Sequence, residues 1–430
     1  MLKKLKGNSL VVGSAVYAVS NILNALIPFA LLPLLTRYLS PEEYGEVAMF
    51  QTILGGVAAF VGLSMAGAAG RKFFDGNLGK DDLAEFIGAC LQILMFTSLV
   101  CLAVFGLFSD QFMEWLGLEK SFIFLAVFVS AANMIVQLRL VQWQVRKQAV
   151  EYGALQIARS LLNVLLSIVF VVVLVKGSDG RISAQICTAA VFTVISLWLL
   201  KREDLLRFFR WRPSFIREVL GFGVPLIPHV GGFFLLTSID RLVINAELGL
   251  AQAGIYMVAV QIAAALAMIF DAVNKAYVPW LFERLKRGQE SESRKIVLLT
   301  YGWFALLLCG AWLAFIIGPS LVTFVVGEQY AIAADVIGWL VLGQVFSGMY
   351  LMVTNYIFYS KRTGLLSLVT IVSGLINVIL LLFLIESFGQ EGAAYSFCIA
   401  NGARFLFSWY VAQKRHKMPW FQFKTLFAWK

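Results

Sequence analysis

Residues 237–262, "TSIDRLVINAELGLAQAGIYMVAVQI", are apolar enough over most of their length to sit in lipid, yet they carry Asp240 and Arg241 side by side, with Glu247 just behind. A charge at the bilayer centre costs about 2.5–3.5 kcal/mol even on the lenient insertion scale. The stretch can be a membrane span only if its acid and base are kept from lipid, and the rest of the chain says that it is one. Of 430 residues, 60% are hydrophobic and 14% charged, against about 45–50% and about 25% in a soluble domain. The excess runs from end to end and leaves no polar interval long enough for a soluble domain. The basic start "MLKKLKGNS" precedes an apolar run too long for a signal-peptide core and without a clear cleavage site.

A span needs about 20 apolar residues. Twelve stretches qualify: 9–35, 45–69, 84–107, 121–141, 152–175, 182–200, 219–246, 252–277, 296–317, 332–358, 365–385 and 392–412. None alternates in the manner of a barrel strand, and lipid admits only helices or closed barrels. The expected fold class is all-α, polytopic. Lys and Arg distribute unevenly over the intervals. Those on the amino-terminal side hold 26: Lys3, Lys4, Lys6, Arg71, Lys72, Lys80, Arg146, Lys147, six between 201 and 217, five between 284 and 295, Lys361, Arg362 and five from Lys414 onward. The other side holds four, Arg37, Lys120, Lys176 and Arg181. The positive-inside rule then places both termini in the cytoplasm. The net charge of +10 thus reads as topology rather than as a nucleic-acid footprint.

The two halves resemble each other. At an offset of 209, "LSPEEYGEVAMFQTI" (39–53) lies over "LGLAQAGIYMVAVQI" (248–262), with Leu39/Leu248, Gly45/Gly254 and Ile53/Ile262 identical. At an offset of 214, "SLLNVLLSIVF" (160–170) lies over "GLINVILLLFL" (374–384). An even number of spans separates the halves, so the repeat is parallel, an architecture common among secondary transporters. Paired prolines, Pro28 with Pro33 and Pro225 with Pro228, bend the first span of each half, either as a fixed kink or as the lining of a moving cavity. The expected organisation is a six-helix lobe over 1–200, a basic linker at 201–218, a second lobe over 219–412 and a tail at 413–430. The linker "KREDLLRFFRWRPSFIRE" mixes cations with Phe208, Phe209 and Trp211, a composition suited to the anionic inner leaflet.

Four segments carry a family resemblance: "LLTRYLSPEEYGEVAMFQTI" (34–53), "FGVPLIPHVGGFFLLTSIDRLVINAELGLAQAGIYMVAVQIA" (222–263), "AYVPWLFE" (276–283) and "GQEGAAYSF" (389–397). The chain resembles the bacterial polysaccharide and O-antigen flippases of the multidrug/oligosaccharidyl-lipid/polysaccharide exporter superfamily. The resemblance implies two six-helix lobes in a V around a central cavity. It implies movement of undecaprenyl-pyrophosphate-linked oligosaccharide from the inner to the outer leaflet of the bacterial cytoplasmic membrane; Asp240, Asp271 and Glu247 are candidate sites for H+ or Na+ as coupling ion, and the residues do not choose between the two. A polysaccharide polymerase and glycosyltransferases would be working partners, and no cofactor is implied.

Five cations remain inside spans: Arg139, Arg159, Arg241, Lys275 and Arg404. They are the candidate substrate-binding residues, offering pyrophosphate or acidic sugar a substitute for water. Asp240 and Asp271 are the candidate gating or ion-coupling acids. Asp271 and Lys275, four apart, share a helical face. Arg404 lies eleven residues before Arg415, about 16 Å deeper at 1.5 Å per residue. Arg139 and Lys275, close enough to the interface to reach it, read as readily as structural pairs or snorkelling side chains; Arg159 and Arg404 read so less readily, and Asp240–Arg241 reads equally as a structural or gating pair or as a substrate contact. The five cysteines form no CxxC and read as small buried hydrophobes. Gly62, Ala66 and Gly70 suit close helix packing, and "WFQF" (420–423) suits an interfacial anchor. No Walker sequence, HExxH or GxSxG occurs; "GNLGK" (76–80) lacks the P-loop spacing. A cation antiporter of the same superfamily and a membrane-embedded polymerase or ligase stay as alternatives. The first is disfavoured by a cationic cavity, the second by short exterior loops.

Overall fold

The computed structural model describes residues 9–75, 79–360, 362 and 364–420. Lys3, Lys4, Lys6, Lys361, Lys424 and Lys430 of the charge count, part of the "GNLGK" fragment, and Phe421 and Phe423 lie outside them. The regular structure of the described residues is all helical, with no strand among them. In order they form α1 (Ser9–Tyr38), α2 (Pro41–Val57), α3 (Met65–Lys72), α4 (Lys80–Leu107), α5 (Ser109–Leu116), α6 (Lys120–Val145), α7 (Ala149–Ser167) and α8 (Gly177–Arg202). There follow α9 (Pro213–Gly223), α10 (Ile227–Thr237), α11 (Ile239–Leu248), α12 (Leu250–Arg287), α13 (Glu290–Val326), α14 (Ala333–Tyr359) and α15 (Gly364–Arg415).

Among the described residues nine helices are long and apolar enough to cross a membrane. Large apolar side chains stand exposed on them, such as Phe96, Val194, Phe324 and Phe383. A helix that is apolar all round needs an apolar solvent, so the chain is a multi-pass membrane protein. The 52-residue α15 covers two predicted spans. It breaks at Gly389, whose φ of 56° and ψ of −132° no L-residue tolerates readily. The predicted spans 45–69 and 219–246 are each interrupted. The first breaks between α2 and α3, the second at the 3-10 turn Val224–Leu226 that carries Pro225, and again at Ser238. At the start of α2 the sequence "SPEE" supplies a full capping box. Glu43 N–H donates to Ser40 Oγ at 3.2 Å and Ser40 N–H to Glu43 Oε2 at 2.8 Å, with Pro41 in the first turn.

The chain forms two compact units. One comprises the residues up to Gly231 together with Gly249–Gly254; the other comprises Gly232–Leu248 and the residues from Ile255 onward. In the first unit, α6 packs against α3, α4 and α8, and α1 against α7. Gly70 of α3 abuts Val141 of α6, as the small-residue spacing suggested, although Gly62 stands in the turn before α3 with φ 72°. Segment 203–212 is irregular and strapped to the start of α4 by Arg212–Asp82 at 2.8 Å and Arg207–Asp81 at 3.6 Å. It leaves Phe209 and Trp211 exposed. In the second unit α14 packs between α13 and α15. Trp420 is buried against Tyr301, Tyr356 and Trp409, and its carbonyl accepts from the Tyr301 hydroxyl at 2.6 Å. The cysteines are free, and Cys187 and Cys309 are exposed rather than buried. A span apolar all round turns some of its small residues to lipid.

The repeat leaves a reciprocal mark inside the first unit. A Cβ on Gly45 would lie 2.1 Å from Leu250 O, and one on Gly254 would lie 2.0 Å from Pro41 O. The offset of 209 carries Pro41 onto Leu250 and Gly45 onto Gly254, so the contact maps onto itself. Neither neighbour is a side chain that can swing away. Gly45→Ala or Gly254→Ala is therefore expected to lower stability in detergent by about 1–3 kcal/mol, the usual cost of overpacking. Thermal unfolding of the purified variants checks this; unchanged stability would mean that the helices do not approach so closely.

Candidate functional site

Four helices of the first unit turn polar residues toward one another. On α7, Gln156, Arg159, Ser160 and Asn163 follow the i, i+3, i+4, i+7 rule and share a face. On α8, Arg181, Gln185 and Thr188 do the same; α6 adds Asn133 and Gln137, and α1 adds Asn24. With Val129 and Leu140 these residues enclose a cavity of about 300 Å³. Among the described residues no carboxylate lines it.

Two guanidiniums enter this cavity. Arg159 donates from Nη2 to Asn133 Oδ1. Arg181, buried, donates from Nη1 to Asn163 Oδ1 at 2.9 Å and to Ser167 Oγ at 2.7 Å. Ser160 Oγ donates to Asn24 Oδ1 and ties α7 to α1. Among the described residues neither arginine has a carboxylate within salt-bridge distance. Arg181 Nε, Gln185 Nε2 and Gln156 Oε1 are buried with no protein partner. Two cations without a carboxylate partner among the described residues, set among carboxamides and hydroxyls, make the cavity a candidate site for an anion that also carries polar neutral groups. A larger cleft, about 620 Å³, opens among Asp81, Glu85, Arg207, Phe208 and Arg210. Its cations face carboxylates, so the enclosed cavity is the stronger candidate.

Arg181 was not among the sequence candidates. It falls one residue before the predicted span 182–200 and was counted with the exterior loop cations, whereas the structure places it in α8 and buries it. The i, i+4, i+7 row from Arg181 through Gln185 to Thr188 is the signal that reveals it.

The other candidates have other surroundings. Arg139 is fully buried and spans both oxygens of Glu203, with Nη1–Oε2 at 3.0 Å. Arg146 reaches Glu203 Oε2 at 2.9 Å, and the Arg139 guanidinium lies 4.1 Å from the Trp143 ring centroid. Arg139 is thus placed in a closed ion triad, away from the cavity lining. Burial alone would raise the pKa of the Glu203 carboxyl, but the guanidiniums of Arg139 and Arg146 outweigh it and hold the group below its ordinary value. Lys275 and Asp271 pair at 2.5 Å across one turn of α12, both half-exposed. Asp240 and Arg241 are buried at the start of α11. The Asp240 carboxylate accepts the Arg241 backbone N–H at 2.9 Å, and the buried Tyr256 hydroxyl lies beside it without hydrogen-bond geometry. Glu247 is exposed. Arg404 of α15 is buried with its guanidinium 3.8 Å from the Tyr350 ring centroid and 5.9 Å from that of Phe233. It has no carboxylate partner among the described residues.

Residues 10–285 match the family described as "Polysaccharide biosynthesis protein". The chain belongs to this family. It is 30% identical, over 86% of its length and 88% of the relative's, to an uncharacterized membrane protein of Haemophilus influenzae. It is 22% identical, over 87% of its length and 78% of the relative's, to a protein of Haloferax volcanii named "Probable low-salt glycan biosynthesis flippase Agl15". Its fold is that of the lipid II flippase MurJ in an inward closed conformation, with a TM-score of 0.73 over 94% of this chain and 87% of that one, at 13% identity. In this member of the polysaccharide biosynthesis family, Arg159 and Arg181 line a cavity of the amino-terminal unit.

Proposed function

We propose that this protein is a flippase, carrying undecaprenyl-pyrophosphate-linked oligosaccharide from the inner to the outer leaflet of the bacterial cytoplasmic membrane by alternating access, and is not an enzyme. The observation that carries the reading is the carboxylate-free cavity with Arg159 and Arg181. The lipid tail can stay in hydrocarbon, but pyrophosphate and sugar cannot cross it without a polar substitute for water. Guanidiniums bind phosphate oxygens bidentately. Arg404 of the second unit, with no carboxylate partner among the described residues, is a further candidate cation for cargo. Arg139 and Lys275 each hold a carboxylate and serve structure in this reading. Asp240 with Arg241 serves as a gating or structural pair. The relatives named as flippases support the class of cargo. The cation antiporter of the same superfamily is disfavoured, because two unpaired guanidiniums repel a cationic cargo most strongly in a low-dielectric site. Deletion of the gene is expected to leave a lipid-linked oligosaccharide accumulated on the cytoplasmic face, with export restored by the wild-type chain. Normal glycan export accompanied by altered drug resistance would favour the antiporter.

Both termini are assigned to the cytoplasm. Removing Arg181 from the exterior cations leaves three there, which sharpens the asymmetry behind this orientation. The linker, with Phe209 and Trp211 exposed, then lies against the inner leaflet. Single cysteines in a cysteine-free background should label from outside at Asp179, Gly249 and Gly389, and only after permeabilisation at Lys80, Arg210 and Gln289. Labelling of position 210 in intact cells would overturn the orientation.

A further inference from the structure

We infer that α4 presents the bilayer with a shortened apolar belt, and that the first unit gathers short-chain lipid along this one helix. Composition conceals the shortening. α4 has 28 residues, about 42 Å of helix at 1.5 Å per residue, enough to cross a hydrocarbon core of about 30 Å. Yet its buried residues begin at Leu83 and stop at Leu94. Up to that point the helix is clad in protein. Phe86 packs edge-on against Phe215 of α9, with ring centroids 5.5 Å apart. Gly88 lets the linker lie flat on α4, since a Cβ there would stand 2.3 Å from Arg207 O. Gln92 then holds the linker backbone, donating from Nε2 to Phe208 O at 2.5 Å and to Arg210 O at 3.3 Å.

Beyond Leu94 the helix turns to lipid. Met95, Phe96, Leu99, Val100, Val104 and Leu107 are exposed, and the rise from Met95 to Leu107 is about 18 Å. Charge bounds the belt at both ends. Exposed Arg210 is held beside Gln92 at one end, and Asp110 and Glu114 of α5 are exposed at the other. Phe209 and Trp211, exposed on the same strap, are the aromatic pair expected at a membrane boundary. From Gln92 to Leu107 is about 22 Å along the axis, short of the hydrocarbon core by about 8 Å. Tilting the helix shortens the belt further. Snorkelling is restricted, because Arg207 and Arg212 are tied to Asp81 and Asp82 at 3.6 and 2.8 Å. The bilayer must then match the protein, and lipid with shorter chains does so at least cost. α13 of the second unit shows the ordinary case. Its exposed apolar side chains run from Leu299 to Phe324, about 37 Å. The short belt is a local property of α4, and it holds for any cargo.

The test places Leu99→Cys on α4 or Leu313→Cys on α13 in an otherwise cysteine-free full-length chain and labels each with bimane. The protein is reconstituted in equal mixtures of dimyristoleoyl and dierucoyl phosphatidylcholine, with bromine on the chains of one lipid and then of the other. Quenching at position 99 should report the short lipid enriched about twofold or more, since the cost of mismatch grows with each Å. Position 313 should show no preference for the short lipid. Arg210→Leu combined with Asp110→Leu, both at exposed positions, lengthens the belt at its two ends. This pair should bring position 99 to parity and leave the reading at 313 unchanged, which also shows that the variant is folded. An even reading at 99 in the otherwise wild-type chain overturns the short belt. So does an enrichment that survives the paired substitution or occurs equally at 313. A label at 99 that neither lipid quenches overturns it as well, because a second copy of the chain or another protein then covers the helix.

Discussion

Arg159→Ala combined with Arg181→Ala is expected to cut affinity for the pyrophosphate lipid by about 100-fold or more. A hydrogen bond to a charged group contributes about 1.5–3 kcal/mol, and 1.4 kcal/mol is a factor of ten, so two lost guanidinium contacts reach that range. The arginines sit among carboxamides and hydroxyls and are not paired to acids. Their removal strands no buried carboxylate, and the protein should still reach the membrane. Arg159→Lys and Arg181→Lys should each keep part of the affinity, because lysine retains the charge but loses the planar fork. Binding of the lipid to purified protein and flipping in proteoliposomes provide the measurements. If both stay at wild-type levels in the double alanine variant, the guanidiniums do not handle cargo, and the cavity would be a structural feature of the bundle.

Glu203→Ala should cost stability instead of cargo. Arg139 is fully buried and depends on Glu203 for both of its terminal nitrogens, and Arg146 shares the same carboxylate. Breaking a buried pair from one side leaves an uncompensated charge and typically costs about 3–5 kcal/mol. The loss should appear as a lower unfolding temperature in detergent, with the export defect limited to reduced protein level. The triad also gives a pH signature. The Glu203 carboxyl titrates below its ordinary value in the folded protein. Its contribution is therefore present in full above the unfolded glutamate range, about 4.3, and disappears as pH falls through the depressed folded value. Glu203→Ala should lack that part of the acid-side loss. An unfolding temperature equal to wild type at neutral pH would show that solvent, and not Glu203, satisfies Arg139.

The sequence by itself determined the solvent, the helical class and the need to hide certain charges. Hydropathy is a sum over a window, and residues 237–262 remain apolar however they are packed. An acid and a base within them must then be enclosed, and both Asp240 and Arg241 are buried. The glycine pair Gly45 and Gly254 was legible too, because a repeat preserves spacing. The partners and the facing were decided only by tertiary structure. Arg139 meets an acid 64 residues away, and no window around either residue contains the other. A helix in lipid can turn an arginine toward hydrocarbon, an ion pair or a cavity with the same composition; which of these occurs depends on the rotation of the helix about its axis, and neighbouring helices set that rotation. Arg159 and Arg181 lie on different helices and share one cavity because α1, α6, α7 and α8 place their amide rows face to face. The rows themselves were written at helical spacing, but a row of polar residues becomes a site only when other helices close over it and exclude lipid.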